Sequence, residues 1–304
     1  MGTASAYAPG HLTGLFQICD QPSDPLLKGA RGSGVSLDLG VHTTVTARQA
    51  EAMSWSIKIN GIDTQGAFVS ENVLRRFSGH TSPQEINVEH WVETPVVAGF
   101  GSSGGGALSL ALALNEATGA PLKRLEAAQI AHTAEIECKT GLGSVFAAVR
   151  GGFGVLIKPG APGIGEAISY PDTSGLRVVY LHFGPIPTKE ALANPALRAR
   201  INDIGGKFVD ELQRHPTTER FMRLSRQFTE HVGLVTPKLR ALFDKLDPAG
   251  YIFTMAMFGE VSFSVMEKER AEEAAKLMES SFPGYEAVVV GIDHEGAKLT
   301  SKNP

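Results

Sequence analysis

A two-domain α+β fold is what this sequence predicts, and three observations carry the prediction. The chain has 304 residues, enough for two units of roughly 150 residues with a core each. Its first half alternates apolar and polar residues along Val35–Arg48 and later breaks into a glycine-rich turn that runs straight into an apolar helix. Its second half reads strand, helices, two strands, helix, strand, an order that makes an antiparallel sheet covered on one face.

Taken in order, Ser5–Ala8 reads as a short edge strand, and the segment APGHLTGLF that begins at Ala8 reads as a turn holding His11 and Thr13. Residues 20–34 are rich in Pro, Gly and charge, and a loop of that length is expected to be functional. Val35, Leu37, Leu39, Val41, Thr43 and Val45 alternate with polar or small residues, so one face of this strand is buried. Trp55, Ile57 and Ile59 continue the pattern to Asn60-Gly61, a hairpin-turn pair. Asn72–Gly79 reads as helix and Ile86–Glu93 as strand.

Ala107–Thr118 is apolar on nearly every side and predicts a helix buried all round, closed by Gly119. Pro121 opens the next helix, where Leu125, Ala128, Ala131, Glu135 and Cys138 form one stripe. A carboxylate thus ends an apolar face, and an unpaired buried carboxylate is costly, so Glu135 needs a cation or a donor partner. Val145–Val149 fits helix or strand; Phe153–Ile157 is a strand, and the domain boundary falls near the end of the Pro159–Thr173 loop. Beyond it come a strand at Val178–Phe183, helices over 188–213, 217–232 and 236–246, strands at Tyr251–Phe258 and Val261–Val265, a helix over 267–280, and a strand at Glu286–Ile292.

Composition narrows the function. Lys and Arg total 28 against 32 Asp and Glu, a formal charge of −4, so nucleic acid is not an expected partner. No apolar run reaches the roughly 18 residues a bilayer span needs. The N-terminus lacks a basic segment followed by an apolar core, and Cys19 and Cys138 make no disulfide framework or metal spacing, which together suit the cytoplasm.

The chemistry concentrates in Pro95–Ala107, PVVAGFGSSGGGA, with five glycines and two serines. Glycine lets the backbone approach a ligand closely, and the helix that follows aims free N–H groups and a positive dipole end back at the loop. That combination binds phosphate. No Lys follows the glycines, so the loop is not a P-loop, and its spacing is not that of a dinucleotide fingerprint.

The spacing Pro95-x-x-x-Gly99-Phe100-Gly101-Ser102-Ser103 resembles the second signature of the GHMP kinases, with Phe100 in place of Leu. Ala8-Pro9-Gly10-His11, where the wider family has Lys, is similar to the archaeal pantoate kinase branch. So are the segments Gly29–Val41, Thr140–Gly143 and Met255–Glu260. The resemblance implies an N-terminal ATP-binding domain, residues 1–173, with a mixed sheet and a left-handed βαβ crossover. It implies a ferredoxin-like C-terminal domain, residues 174–304, with ATP and substrate meeting between the two. The implied activity is ATP-dependent phosphorylation of the 4-hydroxyl of pantoate for coenzyme A synthesis. A family kinase acting on another small hydroxy acid, or a nucleotide-binding homologue with weak turnover, are the alternatives.

By the same resemblance Pro95, Gly99, Gly101, Ser102, Ser103, Gly104 and Gly105 hold the ATP phosphates, and Glu135 with Ser103 holds Mg2+. Magnesium takes hard oxygens and keeps several waters, so few protein ligands are enough. Several family members place an Asp after the metal Glu to take the hydroxyl proton; here the position offers Ser144, which is no base at neutral pH. His11 and Ser144 are the positions assigned to catalysis. Arg31 is assigned to the substrate carboxylate, since a planar guanidinium suits it bidentately, with a solvated surface Arg as the other reading. Asp38 and His42 share a strand face with Ser36 and either line the pocket or face water. His132, three residues before Glu135, reads as a packing residue. The expected partners are ATP and a small-molecule substrate; a homodimer is left open.

Overall fold

The computed structural model describes residues 1–185 and 193–301. An eight-stranded sheet is built from β1 (Gly2–Cys19), β2 (Gly29–Gln49), β3 (Ser54–Ile59), β4 (Ile62–Asp63), β5 (Gln84–Val92), β6 (Phe153–Lys158), β7 (Glu166–Ser169) and β12 (Lys298–Thr300). Its main path runs β12-β1-β2-β5-β3-β4, and β6 and β7 extend from β2. The pair β3–β5 is parallel, joined through α1 (Phe68–Phe77); all other pairs of this sheet are antiparallel. Asn60 and Gly61 take φ of 49° and 79° at the β3–β4 turn, the left-handed pair that the sequence foretold.

The largest departure from the sequence reading is β1. The expected turn after Ala8 is strand, and β1 runs unbroken alongside β2 from Gly2 to Cys19. Register shifts at Pro9/His11 and Thr13/Leu15 absorb the proline, whose missing N–H would otherwise break the ladder. β2 likewise begins at Gly29, inside the expected loop. Its glycines permit the bend: a Cβ on Gly40 would stand 2.2 Å from the Ala8 carbonyl oxygen, and one on Gly34 2.4 Å from His11 Nε2.

Helices α1, α2 (Ser102–Thr118), α3 (Arg124–Cys138) and α4 (Ser144–Arg150) cover one face of this sheet around a core that includes Leu74, Phe77, Leu108 and Leu110. α2 is buried over its whole stretch Gly104–Leu114, as its composition requires. α3 starts three residues after Pro121, where Glu126 accepts from the Lys123 N–H at 2.7 Å. The ambiguous segment 145–149 is helix.

The second sheet has the order β11-β8-β10-β9, with β8 Leu176–Pro185, β9 Thr254–Met255, β10 Gly259–Glu267 and β11 Ala287–Val290. All three pairings are antiparallel, and in chain order the strands run 4-1-3-2, the ferredoxin-like arrangement. Helices α5 (Pro195–Arg214), α6 (Thr218–Val232), α7 (Pro237–Leu246) and α8 (Lys268–Ser281) complete it. The helix expected from 188 begins at Pro195 behind the Asn194 cap; residues 186–192 lie outside the described part. The expected strand 251–258 shrinks to Thr254–Met255, and Ala256–Phe258 turn instead. The last strand, β12, returns to pair with β1, so residues 298–300 belong to the first sheet. One core joins the two sheets: Leu12, Phe100 and Phe153 of the first half cluster with Tyr180, Phe221 and Phe263 of the second.

Candidate functional site

The glycine loop lies at the wall of a cavity of about 560 Å³. Gly99 and Gly101 take φ of 81° and 65°, which a side chain would oppose, and Gly101 is the N-cap of α2. No side chain caps the helix, so its first N–H groups are available to an anion. Phe100 is buried and meets Tyr180 of β8 edge-on, 4.9 Å centroid to centroid. The ring that stands where the family has Leu therefore locks the loop to the second sheet. The same loop is buttressed by Met257–Gly259: a Cβ on Gly259 would come within 1.8 Å of the Ala98 carbonyl oxygen. Gly259→Ala must therefore push the glycine loop aside. The expected result is an ATP KM raised about 10-fold or more, at a cost near 1–3 kcal/mol in stability for the overpacked site. Initial rates at varied ATP and a denaturant melt measure the two.

Behind the loop stands Glu135 of α3, 2% exposed. Its Oε1 accepts from Ser103 Oγ and Thr140 Oγ1, both at 2.6 Å, and its Oε2 accepts from Ser144 Oγ at 2.9 Å. Burial pushes its pKa up and the three hydroxyls pull it back, leaving it above the ordinary carboxylate range. Among the described residues no Lys, Arg or His lies within ion-pair distance of it. The partner that the sequence demanded is thus a set of three donors. Helix contact here is tight: a Cβ on Gly104 would meet Ser144 Oγ at 2.4 Å, and one on Gly141 would meet Glu135 Oε2 at 2.2 Å.

His11 lies beside this group. Its N–H donates to the Phe100 carbonyl at 2.8 Å, and its Nδ1 is 3.3 Å from Ser36 Oγ. A Cβ on Gly101 would stand 3.6 Å from both His11 Cβ and Ser144 Cβ. Burial pushes His11 down to about 4, so at neutral pH it is uncharged. His90 of β5, 3% exposed, is also pushed down to about 4 by burial. An unfolded histidine titrates near 6.5, so between pH 6.5 and 4 the unfolded chain binds more protons. Stability then rises with pH across that window and is lost as pH falls through it, by about 1.4 kcal/mol per pH unit for His90 alone. Thermal melts from pH 7 to 4.5 should show that slope, and His90→Gln should flatten it.

Several expected site residues lie elsewhere. Arg31 is on β2, not in a loop, and is not among the cavity's lining residues. Its Nε donates to the Ile157 carbonyl at 2.8 Å, its Nη1 to Gln17 Oε1 at 3.2 Å, and its Nη2 pairs with Asp210 of α5. It staples the two halves together, so Arg31→Met should cost about 1–2 kcal/mol in a chemical melt and leave the KM for substrate unmoved. Asp38 is exposed, accepts from the Gly291 N–H at 3.1 Å and does not line the cavity. His42 packs at a tilt against Tyr7 with centroids 4.8 Å apart, lies 3.6 Å from Glu93 Oε2, and also falls outside the cavity. Sharing a strand face with Ser36 does not bring these residues to one place: six residues along a strand span roughly 20 Å. Pro95, Gly104 and Gly105 are not lining residues, and the Gly105 N–H is spent on the Gly101 carbonyl at 3.0 Å. Gly99, Gly101, Ser102, Ser103, His11, Glu135 and Ser144 do converge on the cavity. His132 Nε2 meets the carbonyls of Pro25 and Lys28 at 3.2 and 3.1 Å, a packing role that ties down the 20–28 loop.

One residue that sequence reasoning passed over completes the site. Arg150, the last residue of α4, is the only Lys or Arg among the described residues that line the cavity. It donates to the Ile168 carbonyl at 3.1 Å and to Ser169 Oγ at 2.5 Å, and has no ion-pair partner among the described residues. Burial works against its charge. The available signal was its place six residues after Ser144 on the same short helix, just before Gly151-Gly152.

Residues 67–152, which hold the glycine loop, Glu135, Ser144 and Arg150, match the GHMP kinases N terminal domain. The pantoate kinase of Methanocaldococcus jannaschii is 31% identical over 278 residues, covering 90% of this chain and 97% of that protein. This chain belongs to the GHMP kinase family. The pantoate kinase of Thermococcus kodakarensis is 33% identical over 279 residues, covering 90% of this chain and 91% of that protein. A solved structure described as a phosphotransferase related to the CoA biosynthesis pathway superposes with a TM-score of 0.88 at 30% identity, over 98% of each chain. Mevalonate diphosphate decarboxylase from Staphylococcus aureus shares the GHMP kinase fold at 16% identity, with a TM-score of 0.75 over 99% of this chain and 98% of that one.

Proposed function

We propose that this GHMP kinase is a pantoate kinase, transferring the terminal phosphoryl group of ATP to the 4-hydroxyl of pantoate in the cytoplasm, as a step toward coenzyme A. One observation carries the reading: a single cavity joins the glycine loop and a buried carboxylate to a guanidinium, and among the described residues that carboxylate has no cation and that guanidinium no carboxylate. The names of the relatives, pantoate kinases over nine-tenths of this chain, supply the substrate. α4 carries Ser144 at the phosphate end and Arg150 at the far end, about 9 Å apart along its axis. A short hydroxy acid laid along this helix puts its hydroxyl toward the phosphate loop and its carboxylate toward Arg150. We assign the carboxylate to Arg150 in place of Arg31.

The first N–H groups of α2 hold the phosphates, with the cavity wall excluding water around them. The donor set fits a magnesium ion: Glu135 and Ser103 offer hard oxygens, and a buried carboxylate without a cation is a charge awaiting one. Among the described residues no cluster of three His, Cys, Asp or Glu side chains could hold an ion unaided, so Glu135 and Ser103 would share it with phosphate and water. Such an ion neutralises phosphate charge when bound.

Ser144 gives its own proton to Glu135 and cannot serve as the base. His11, with its pKa near 4, is a weak base at neutral pH. The hydroxyl proton therefore passes to an oxygen of the transferred phosphoryl group, while His11 and Ser144 position the reactants. A coupled ADP-release assay over pantoate, homoserine, mevalonate and shikimate tests the reading. Pantoate should give the highest kcat/KM; no ADP with pantoate, alongside measurable ATP binding, would leave a nucleotide-binding protein without turnover.

A further inference from the structure

The cavity has a second end, away from Arg150, walled by Ile59, Ala67, Phe68, Val92, Val96 and Val97. An apolar wall next to the glycine loop suits a nucleobase. Two polar side chains line that end, Ser70 of α1 and His90 of β5, and they belong to one hydrogen-bonded chain.

The direction of that chain is forced from its far terminus. Ser109 Oγ lies 2.9 Å from the Gly105 carbonyl oxygen and 3.3 Å from that of Gly106, and carbonyls only accept. The single Ser109 proton is therefore spent. The 2.6 Å contact between Ser109 Oγ and Thr43 Oγ1 must then be a donation by Thr43. Thr43 has no second proton, so in its 2.8 Å contact with His90 Nδ1 the ring nitrogen donates. His90 is deeply buried and neutral, so its Nε2 carries a lone pair. Across 3.1 Å to Nε2 the donor is Ser70 Oγ. A serine that has given its one proton inward presents only lone pairs to the cavity.

We propose that Ser70, held in this polarity by Ser109, Thr43 and His90, accepts a hydrogen bond from the exocyclic amino group of adenine and so selects ATP against 6-oxopurine nucleotides. The inference rests on the kinase reading above. Ser70 touches the base; His90, Thr43 and Ser109 are positioning residues. An oxo group at the same place would set lone pairs against lone pairs. Were the chain reversed, Ser70 would donate and the preference would invert, so the base preference reports the direction of a proton three side chains away.

The test compares ATP with ITP, which exchanges the 6-amino group for oxygen. The wild-type enzyme should show a kcat/KM for ATP about 10- to 100-fold above that for ITP. Ser70→Ala should lower use of ATP and bring the ratio to within about 3-fold. Nitrogen-15 NMR of histidine-labelled protein, with His90 assigned through His90→Gln, should find the neutral ring protonated on Nδ1 near pH 7. Turnover with ITP equal to or faster than with ATP, an unchanged ratio in Ser70→Ala, or a His90 proton on Nε2 would each overturn the proposal. Absence of turnover with every nucleotide would instead sink the kinase reading, and the tautomer and the relative binding of ATP and ITP by calorimetry would still decide this one.

Discussion

Glu135→Gln should lower kcat/KM about 100- to 1,000-fold and, in the absence of ligand, make the protein more stable. The two effects share one cause. Glu135 is buried, has three hydroxyl donors and no cation among the described residues, and its pKa stands above the ordinary range because desolvation outweighs those donors. A glutamine of the same shape removes the charge, while the hydroxyls can turn to satisfy it. The gain should be about 1–3 kcal/mol, a few degrees in Tm. The pH dependence follows the same sign. A carboxylate whose folded pKa is raised makes the folded state bind more protons, so its destabilising contribution grows as pH rises from the unfolded value near 4.5 through the folded one. Glu135→Gln should abolish that component. Melts of both proteins without nucleotide, with steady-state rates beside them, check the prediction. A variant that keeps its activity, or that melts lower, would remove Glu135 from the role assigned to it.

Arg150→Met should raise the KM for pantoate by at least about 30-fold and leave the KM for ATP within about 3-fold. Arg150 lines the cavity and its guanidinium has only neutral acceptors among the described residues, Ile168 O and Ser169 Oγ, so on the proposed reading truncation leaves a substrate carboxylate unpaired in a partly dry site. Arg31→Met is the matched control. It removes the same group from a neighbouring strand, where Asp210 and two other acceptors occupy it, and should change stability without changing KM. If the two variants exchanged their effects, the original assignment of Arg31 to the carboxylate would be restored.

Much of this was legible in the residues. The glycine spacing, the apolar α2 and the single carboxylate on the α3 stripe all follow from local rules, because φ > 0, helical periodicity and the cost of a buried charge act within a few residues. The α+β order of the second half is equally local. What failed was anything that depended on a distant partner. Pro9-Gly10 signals a turn until a register shift against β2 makes room for it. Asp38 and His42 share a face with Ser36, yet the strand carries them away from the cavity. Arg31 is a cation near glycines in sequence, but a helix nearly two hundred residues later supplies its carboxylate.

The glycine loop itself was thus legible in the sequence, as was the need of Glu135 for a partner, although the left-handed backbone at Val97, φ 58°, was not. Only the tertiary structure decided which cation lines the cavity and which hydroxyls surround Glu135. It also set the direction in which the Ser70–His90–Thr43–Ser109 chain points its protons. The physical reason is that backbone conformation and amphipathic burial are properties of short segments. The pairing of a charge or the polarity of a hydrogen bond is instead set by whichever group the fold brings within about 3 Å.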